Sequence, residues 1–94
     1  MAGMAIRVEF FGIARQRTQR GELTLELGAG EVSLGDVLSA LTGRLPALGQ
    51  ELIRGGRLHE SLTANLDGKR FVSDPATPIR DGQCLLILSA DAGG

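Results

Sequence analysis

Two stretches near the start of the chain alternate between apolar and polar residues. In the first, Ile6, Val8 and Phe10 are separated by charged residues, and in the second, over 23–27, every other residue is leucine. A period of two is typical of a β-strand with one buried face. The polar segment between the two stretches predicts an antiparallel hairpin with a long loop.

One amphipathic helix follows. Ser33 is a suitable N-cap, and Asp36 three residues later completes a pattern resembling a capping box. Apolar residues then recur at helical spacing: Leu34, Val37, Leu38, Leu41 and Leu45. Because proline cannot continue a helix, Pro46 predicts an end near Arg44. A weaker helical turn is predicted to include Leu48, Leu52 and Ile53 and to end at Gly55-Gly56.

The second half of the chain predicts a tight hairpin and a final strand. Asp67-Gly68 separates short runs over 62–66 and 70–72, and this dipeptide favours a type I′ turn. Cys84-Leu85-Leu86-Ile87-Leu88 is apolar without alternation, which predicts an interior strand covered on both sides.

The order of these elements predicts an α+β fold. A mixed sheet packed on one main helix, with the first and last strands adjacent and parallel in its middle, satisfies the pattern. This is the β-grasp arrangement of ubiquitin. We expect one domain over residues 1–94, with 89–94 as a flexible C-terminal tail.

Composition excludes several classes of function. The chain of 94 residues is 43% hydrophobic and 22% charged, with a net charge of −1, which is not typical of a disordered protein. The densest basic stretch contains Arg15, Arg17 and Arg20 and is predicted to be a solvated loop, so we expect no nucleic-acid partner. No apolar run approaches the 18 or so residues that span a bilayer, and no signal peptide is apparent, so we expect no membrane association and a cytoplasmic location.

No side-chain constellation indicates catalysis or metal binding. Cys84, the single cysteine, lies within an apolar run, where a buried and inert thiol is the expected state. His59 has no histidine or cysteine at ligand spacing, so we interpret it as a surface residue. Asp67 and Asp81 are explained as turn residues. Phe11 and Phe71 are expected either in the core or in an apolar docking patch on the open sheet face.

The sequence ends Ser89-Ala90-Asp91-Ala92-Gly93-Gly94. Small residues and a terminal diglycine offer a backbone carboxylate on an arm of about 20 Å if the six residues are extended. Glycine lacks a Cβ atom, so such an end fits a narrow channel of another protein. Asp91 is expected either to contact that partner or to keep the tail solvated.

Five segments of the chain together match a known pattern: Ile6–Phe11, the Leu34–Leu45 helix, Thr63–Lys69, Pro78–Gly82 and the terminal Gly93-Gly94. In these segments the sequence resembles the small ubiquitin-like sulfur carriers of the ThiS/MoaD family, which includes the thiamine sulfur carrier and the small subunit of molybdopterin synthase. The resemblance covers most of the chain. The tail lacks the prolines common in the molybdopterin branch, and Gln83 replaces the usual acidic residue, so the pathway stays open.

The resemblance implies a protein cosubstrate with no side-chain catalysis and no bound cofactor or metal. In such carriers an E1-like adenylyltransferase uses ATP to activate the terminal carboxylate, and a sulfur donor protein converts it to a thiocarboxylate. For this sequence, the resemblance implies that Gly94 is the modified residue. It also implies that the partner contacts the preceding residues Ala90, Asp91, Ala92 and Gly93. A further expected partner is either the large subunit of molybdopterin synthase or the enzyme thiazole synthase.

Two alternatives from other classes stay open. A ubiquitin-like modifier uses the same activation but is joined through Gly94 to lysines of its targets. A non-catalytic β-grasp interaction module would bind its partner with or without the terminal diglycine.

Overall fold

The computed structural model describes residues 3–28, 30–46 and 52–90. Two helices and nine strands occur in this part of the chain. In chain order they are β1 (Met4–Phe10), α1 (Gly12–Thr18), β2 (Glu22–Leu27), β3 (Val32–Ser33), α2 (Leu34–Arg44), β4 (Ile53–Arg54), β5 (Arg57–Leu58), β6 (Leu62–Leu66), β7 (Arg70–Val72), β8 (Pro78–Ile79) and β9 (Cys84–Ser89). None of the described helices is long and apolar enough to cross a membrane.

The last strand lies in the middle of the main sheet. The strand order is β2-β1-β9-β6-β7, and β9 pairs in parallel with β1 and antiparallel with β6. Leu85 is the Cα partner of both Val8 and Leu66. The predicted adjacency of the terminal strands, and their parallel direction, are therefore confirmed.

One face of this sheet and one side of α2 form the hydrophobic core. The described core contains no buried polar or charged residue, so its stability comes from apolar burial. Its largest fully buried side chains are Phe10, Ile6, Leu25, Leu34, Leu38, Leu41, Leu85, Ile87, Val8 and Val37.

Helix α2 begins and ends where the sequence predicts. The Ser33 side chain accepts a hydrogen bond from the Asp36 amide at 3.2 Å, and the Asp36 carboxylate accepts one from the Ser33 amide at 2.9 Å. This reciprocal pair satisfies two of the backbone donors that a helix start leaves without helical partners. The helix ends at Arg44, before Pro46.

The prediction that β9 is covered on both sides is wrong. Leu85 and Ile87 are fully buried, whereas Leu86 and Leu88 are only half-buried. The alternation arises because α2 and the core cover a single face of the sheet. On the other face of the sheet, the side chains of Leu86 and Leu88 remain partly exposed.

The predicted loop between β1 and β2 contains helix α1 instead. Ala14 is fully buried and Ile13 packs against the core, so two adjacent residues anchor a helix of seven residues. A helix this short receives its stability from tertiary packing and not from its own periodicity. Arg15 and Arg17 consequently lie on this helix, and Arg20 lies just after it.

The weak helical turn predicted around Leu52 and Ile53 is also wrong. Ile53 begins β4, which pairs with β5 as a hairpin. Gly55 and Gly56 form its turn with φ angles of 58° and 73°, the conformation of a type I′ turn, which glycine adopts without strain. Leu48 lies outside the described residues.

The hairpin predicted at Asp67-Gly68 is confirmed. Strands β6 and β7 pair antiparallel, and the two turn residues have φ angles of 58° and 70°. Asp67 tolerates this left-handed conformation because its short polar side chain makes local hydrogen bonds.

Two leucines of β9 provide a matched test of the one-sided core. We expect Leu85→Ala to lower the free energy of unfolding by about 2–5 kcal/mol, the range for fully buried leucines. Leu88→Ala, in the same strand but half-buried, should cost less than half as much. Urea unfolding followed by circular dichroism would measure both; equal losses would contradict a core on one face alone.

Candidate functional site at the end of the last strand

The last described residues, Ser89 and Ala90, are held in the fold by strand pairing and a hydrogen bond. Ser89 is the last residue of β9 and is the Cα partner of Leu62. The Ala90 amide donates a hydrogen bond to the Ser61 carbonyl at 2.8 Å, and Ala90 is half-buried. Ser89 and Ala90 therefore belong to the folded body and not to the predicted tail.

The remaining residues of the predicted site are Asp91, Ala92, Gly93 and Gly94, which lie outside the described residues. Their roles stay predictions. Measured from Ala90, these four residues would reach about 13–14 Å when extended, compared with about 20 Å for the six residues counted from the sequence.

A contact with α1 fixes the end of β9. The Ser89 hydroxyl accepts a hydrogen bond from the Ile13 amide at 2.9 Å, one of the donors that the start of α1 leaves without a helical partner. Gly12 has a φ angle of 56°, and a Cβ atom there would collide with the Ser89 hydroxyl. Glycine is therefore required for the close approach that sets where the chain leaves the sheet.

The open face of the sheet presents apolar side chains beside this exit. Phe11 is 40% exposed and Phe71 is 57% exposed, and Leu86 and Leu88 are half-buried. Asn65 is the Cα partner of both Phe71 and Leu86, which shows that these strands are neighbours. We call Phe11, Phe71, Leu86 and Leu88 the apolar face. Of the two alternatives for Phe11 and Phe71, core packing is therefore wrong; that a partner docks on these exposed side chains stays a prediction.

Cys84 is at the other end of β9 and is not fully buried, contrary to the prediction. Its thiol donates a hydrogen bond to a Glu9 carboxylate oxygen at 3.2 Å, and the same oxygen pairs with Arg7 at 3.0 Å. Partial burial, followed by the bond to Glu9, raises the pKa of the Cys84 thiol. A thiol with a raised pKa is a weaker nucleophile near neutral pH, so the interpretation of Cys84 as a structural residue holds.

Two aspartates do more than form turns. Asp67 accepts hydrogen bonds from the Cys84 amide at 2.9 Å and from the Gln83 side chain at 2.8 Å. Asp81 accepts one from the Ala5 amide at 2.8 Å. These contacts fasten the start of β9 to its neighbours, and sequence reasoning missed them because the partners are remote along the chain.

His59 is exposed, as predicted. Its Nδ1 atom lies 2.9 Å from the Ser61 hydroxyl and 3.0 Å from the Ser61 amide nitrogen. Within residues 3–28, 30–46 and 52–90, no group of three metal-binding side chains occurs.

The topology is shared with several solved structures. Haloferax volcanii small archaeal modifier protein 1 superimposes with a TM-score of 0.77 at 19% identity, over 93% of this chain and 98% of that one. A proposed molybdopterin converting factor, subunit 1, from Pyrococcus furiosus gives 0.74 at 20% identity, over 92% and 97%. A chain of the Amycolatopsis orientalis BexX/CysO complex gives 0.67 at 24% identity, over 95% and 99%.

The chain has the ubiquitin-like β-grasp fold. This confirms the predicted fold class, and the names of the neighbours agree with the resemblance seen in the sequence. No protein-family model and no curated protein matches the sequence, so at these identities the comparison establishes the fold.

Acid titration would test the role of Asp67. The backbone bond from Cys84, and then the side-chain bond from Gln83, lower the pKa of Asp67. A lowered folded-state pKa contributes stability that is present above the unfolded value, about 3.9, and is lost as the pH falls through the folded value.

We therefore expect Asp67→Asn to flatten the loss of stability below about pH 4, because asparagine tolerates the turn but has no charge to protonate. Urea midpoints measured from pH 7 to pH 2 would show this. Asp74→Asn is the control, since the Asp74 carboxylate accepts a hydrogen bond from the Ala76 amide within its own loop. A wild-type acid slope in Asp67→Asn would contradict the assignment.

Proposed function

We propose that the protein is a sulfur carrier whose terminal Gly94 carboxylate is adenylated and then converted to a thiocarboxylate. The observation that carries the proposal is the path of β9. The strand is paired on both sides within the sheet and is fastened at its end by the hydrogen bonds of Ser89 and Ala90. Only four residues of the sequence, ending in Gly93-Gly94, follow Ala90.

The chemistry requires only the end of the backbone from this chain. A carboxylate is a poor electrophile, so a carboxylate oxygen of Gly94 first attacks the α-phosphorus of ATP, and pyrophosphate leaves. A sulfur nucleophile from the donor protein then attacks the acyl carbon, and AMP leaves with the bonding electron pair. When this nucleophile is a persulfide of the donor, the product is an acyl disulfide. A thiol then attacks the donor sulfur and forms a disulfide with it, and the thiocarboxylate of Gly94 leaves with the electron pair. The partner enzyme supplies the catalytic groups and excludes water.

The absence of side chains at the end suits this reaction. Gly93 and Gly94 carry no Cβ atom, so they pass through a channel that larger residues would block. Asp91, Ala92 and Ala90 add little width. In this proposal they contact the walls of the adenylyltransferase channel.

The names of the structural neighbours support this class of function. One is a proposed molybdopterin converting factor subunit, and another forms a complex with BexX. Because one neighbour is named a molybdopterin converting factor, a molybdopterin-type acceptor of the sulfur should be tested first and a thiamine-type acceptor second. In either case ATP is bound by the partner enzyme.

The apolar face is the docking surface in this proposal. Phe71, Leu86 and Leu88 lie in strands of the sheet that holds β9, on the side opposite the core, and Phe11 directly follows β1. Aromatic residues are enriched in protein interfaces. A partner seated there would receive the tail from the adjacent end of β9.

Mass spectrometry tests the proposal directly. Incubation with ATP, sulfide and a cognate adenylyltransferase should add the mass difference of oxygen exchanged for sulfur, and fragmentation should place it at Gly94. A chain lacking Gly93-Gly94 should keep its unfolding midpoint and gain no mass. An unchanged mass, under conditions that convert a known carrier, would refute the proposal.

Docking is tested separately by Phe71→Ser. Phe71 is more than half exposed, so its replacement should change the free energy of unfolding by less than about 1 kcal/mol. We expect the rate of conversion by the adenylyltransferase to fall about tenfold or more, as for an aromatic residue central to an interface. Lys69→Ser, an exposed change in the neighbouring turn, is the control. An unaltered rate for Phe71→Ser would show that docking uses another surface.

A protein modifier is the second candidate because one of the solved neighbours, from Haloferax volcanii, is named small archaeal modifier protein 1. Both functions begin with the same activated Gly94. They differ in the acceptor: a ladder of heavier species joined through lysine in cells would favour the modifier, and thiocarboxylate without such a ladder would favour the carrier.

A further inference from the structure

The β4–β5 hairpin carries two arginines that face each other and have no counterion among residues 3–28, 30–46 and 52–90. Arg54 and Arg57 are Cα partners across the Gly55-Gly56 turn, so their side chains leave the same face of the hairpin. Within the described residues, neither guanidinium makes a hydrogen bond or an ion pair. Like charges directly opposite each other destabilise a strand pair, and a bound anion would remove that repulsion.

The hairpin is held firmly against the rest of the fold. Ile53 is 2% exposed, and the His59 amide donates a hydrogen bond to the Leu52 carbonyl at 2.7 Å. Gly56 packs on α2, where a Cβ atom would lie 3.1 Å from the Gly35 Cα. The two arginines therefore project from a fixed base, which favours a preformed site.

The arginines border an open cavity of about 460 Å³. This volume is within the range of about 300–1,000 Å³ typical of small-molecule sites. The described lining residues are Leu52, Arg54, Arg57, Leu58 and His59. None of these side chains is acidic; Glu60 lines the adjoining cavity, which shares Arg57 and His59.

His59 contributes a third donor to the cavity. Its Nδ1 atom accepts the hydrogen bond from the Ser61 amide at 3.0 Å. In the tautomer whose Nδ1 accepts this bond, Nε2 carries the ring proton and is a donor. Arg54, Arg57 and His59 thus line the same cavity, and each of these side chains can donate a hydrogen bond.

We propose that Arg54, Arg57 and His59 bind a phosphate group. Guanidinium groups match phosphate oxygens with paired hydrogen bonds. A phosphate group has enough oxygens and negative charge to engage both arginines and the imidazole together. A carboxylate has two oxygens and a single charge, and would leave part of this donor set without a partner.

The site lies next to the end of β9. Ser61, whose amide orients His59, accepts the hydrogen bond of the Ala90 amide through its carbonyl. A phosphate-bearing molecule bound here would therefore sit beside the point where the chain leaves the fold. Binding does not depend on activation of Gly94, so the two proposals succeed or fail separately.

The test is an NMR titration of the full chain with inorganic phosphate at constant ionic strength. We expect saturable shifts at the amides of the hairpin and at the His59 ring. Arg54→Gln and Arg57→Gln should each weaken binding about tenfold, the loss expected for a charge-assisted hydrogen bond. Arg70→Gln, which removes an exposed arginine on β7, should leave the affinity unchanged. Wild-type amide spectra away from the hairpin would show that each variant is folded.

Further ligands identify the source of the phosphate. AMP binding more tightly than inorganic phosphate would assign the site to a phosphate ester, and equal binding would assign it to free phosphate. Arg57→Lys keeps the charge but loses the paired donors, so it should weaken binding less than Arg57→Gln. Acetate binding as tightly as phosphate, shifts spread over all exposed arginines, or equal weakening by Arg70→Gln would overturn the proposal.

Discussion

The pairing of β9 with both β1 and β6 is the interaction on which the rest of the structure depends. It joins the two ends of the chain in the middle of one sheet. Leu85 and Ile87 then point into the core beneath α2, while Leu86 and Leu88 remain on the open face. Because the strand is fixed on both edges, the point where the chain leaves the sheet is also fixed.

Polar contacts at each end of β9 complement this pairing. At its start, Asp67 accepts hydrogen bonds from Gln83 and Cys84. At its end, the Ser89 hydroxyl accepts a hydrogen bond from the Ile13 amide, and the Ser61 carbonyl accepts one from the Ala90 amide. Such contacts contribute modest net stability individually, but they define a single position for the strand. The proposed carrier function needs this fixed base, because the reach of the residues after Ala90 is counted from it.

Sequence patterns were most reliable where a local signal was strong. The Ser33 cap, the helix through Arg44 and the Asp67-Gly68 turn depend on neighbouring residues, and all three are confirmed. The errors arose where tertiary contacts decided the conformation. Helix α1 forms because Ala14 is buried, and Ile53 joins a hairpin because Gly55 and Gly56 both adopt positive φ. Neither segment has a periodicity that distinguishes helix from strand or loop.

The sequence by itself determined the fold class, the main helix and the small-residue end at Gly93-Gly94, because alternation, capping and composition are local properties. Only the tertiary structure decided which face of β9 is open, how Gly12 and Ser89 fit together, and that Arg54 and Arg57 share a cavity with His59. These features depend on strand register and on packing between segments far apart in the chain. Neither property can be predicted from a short stretch of residues.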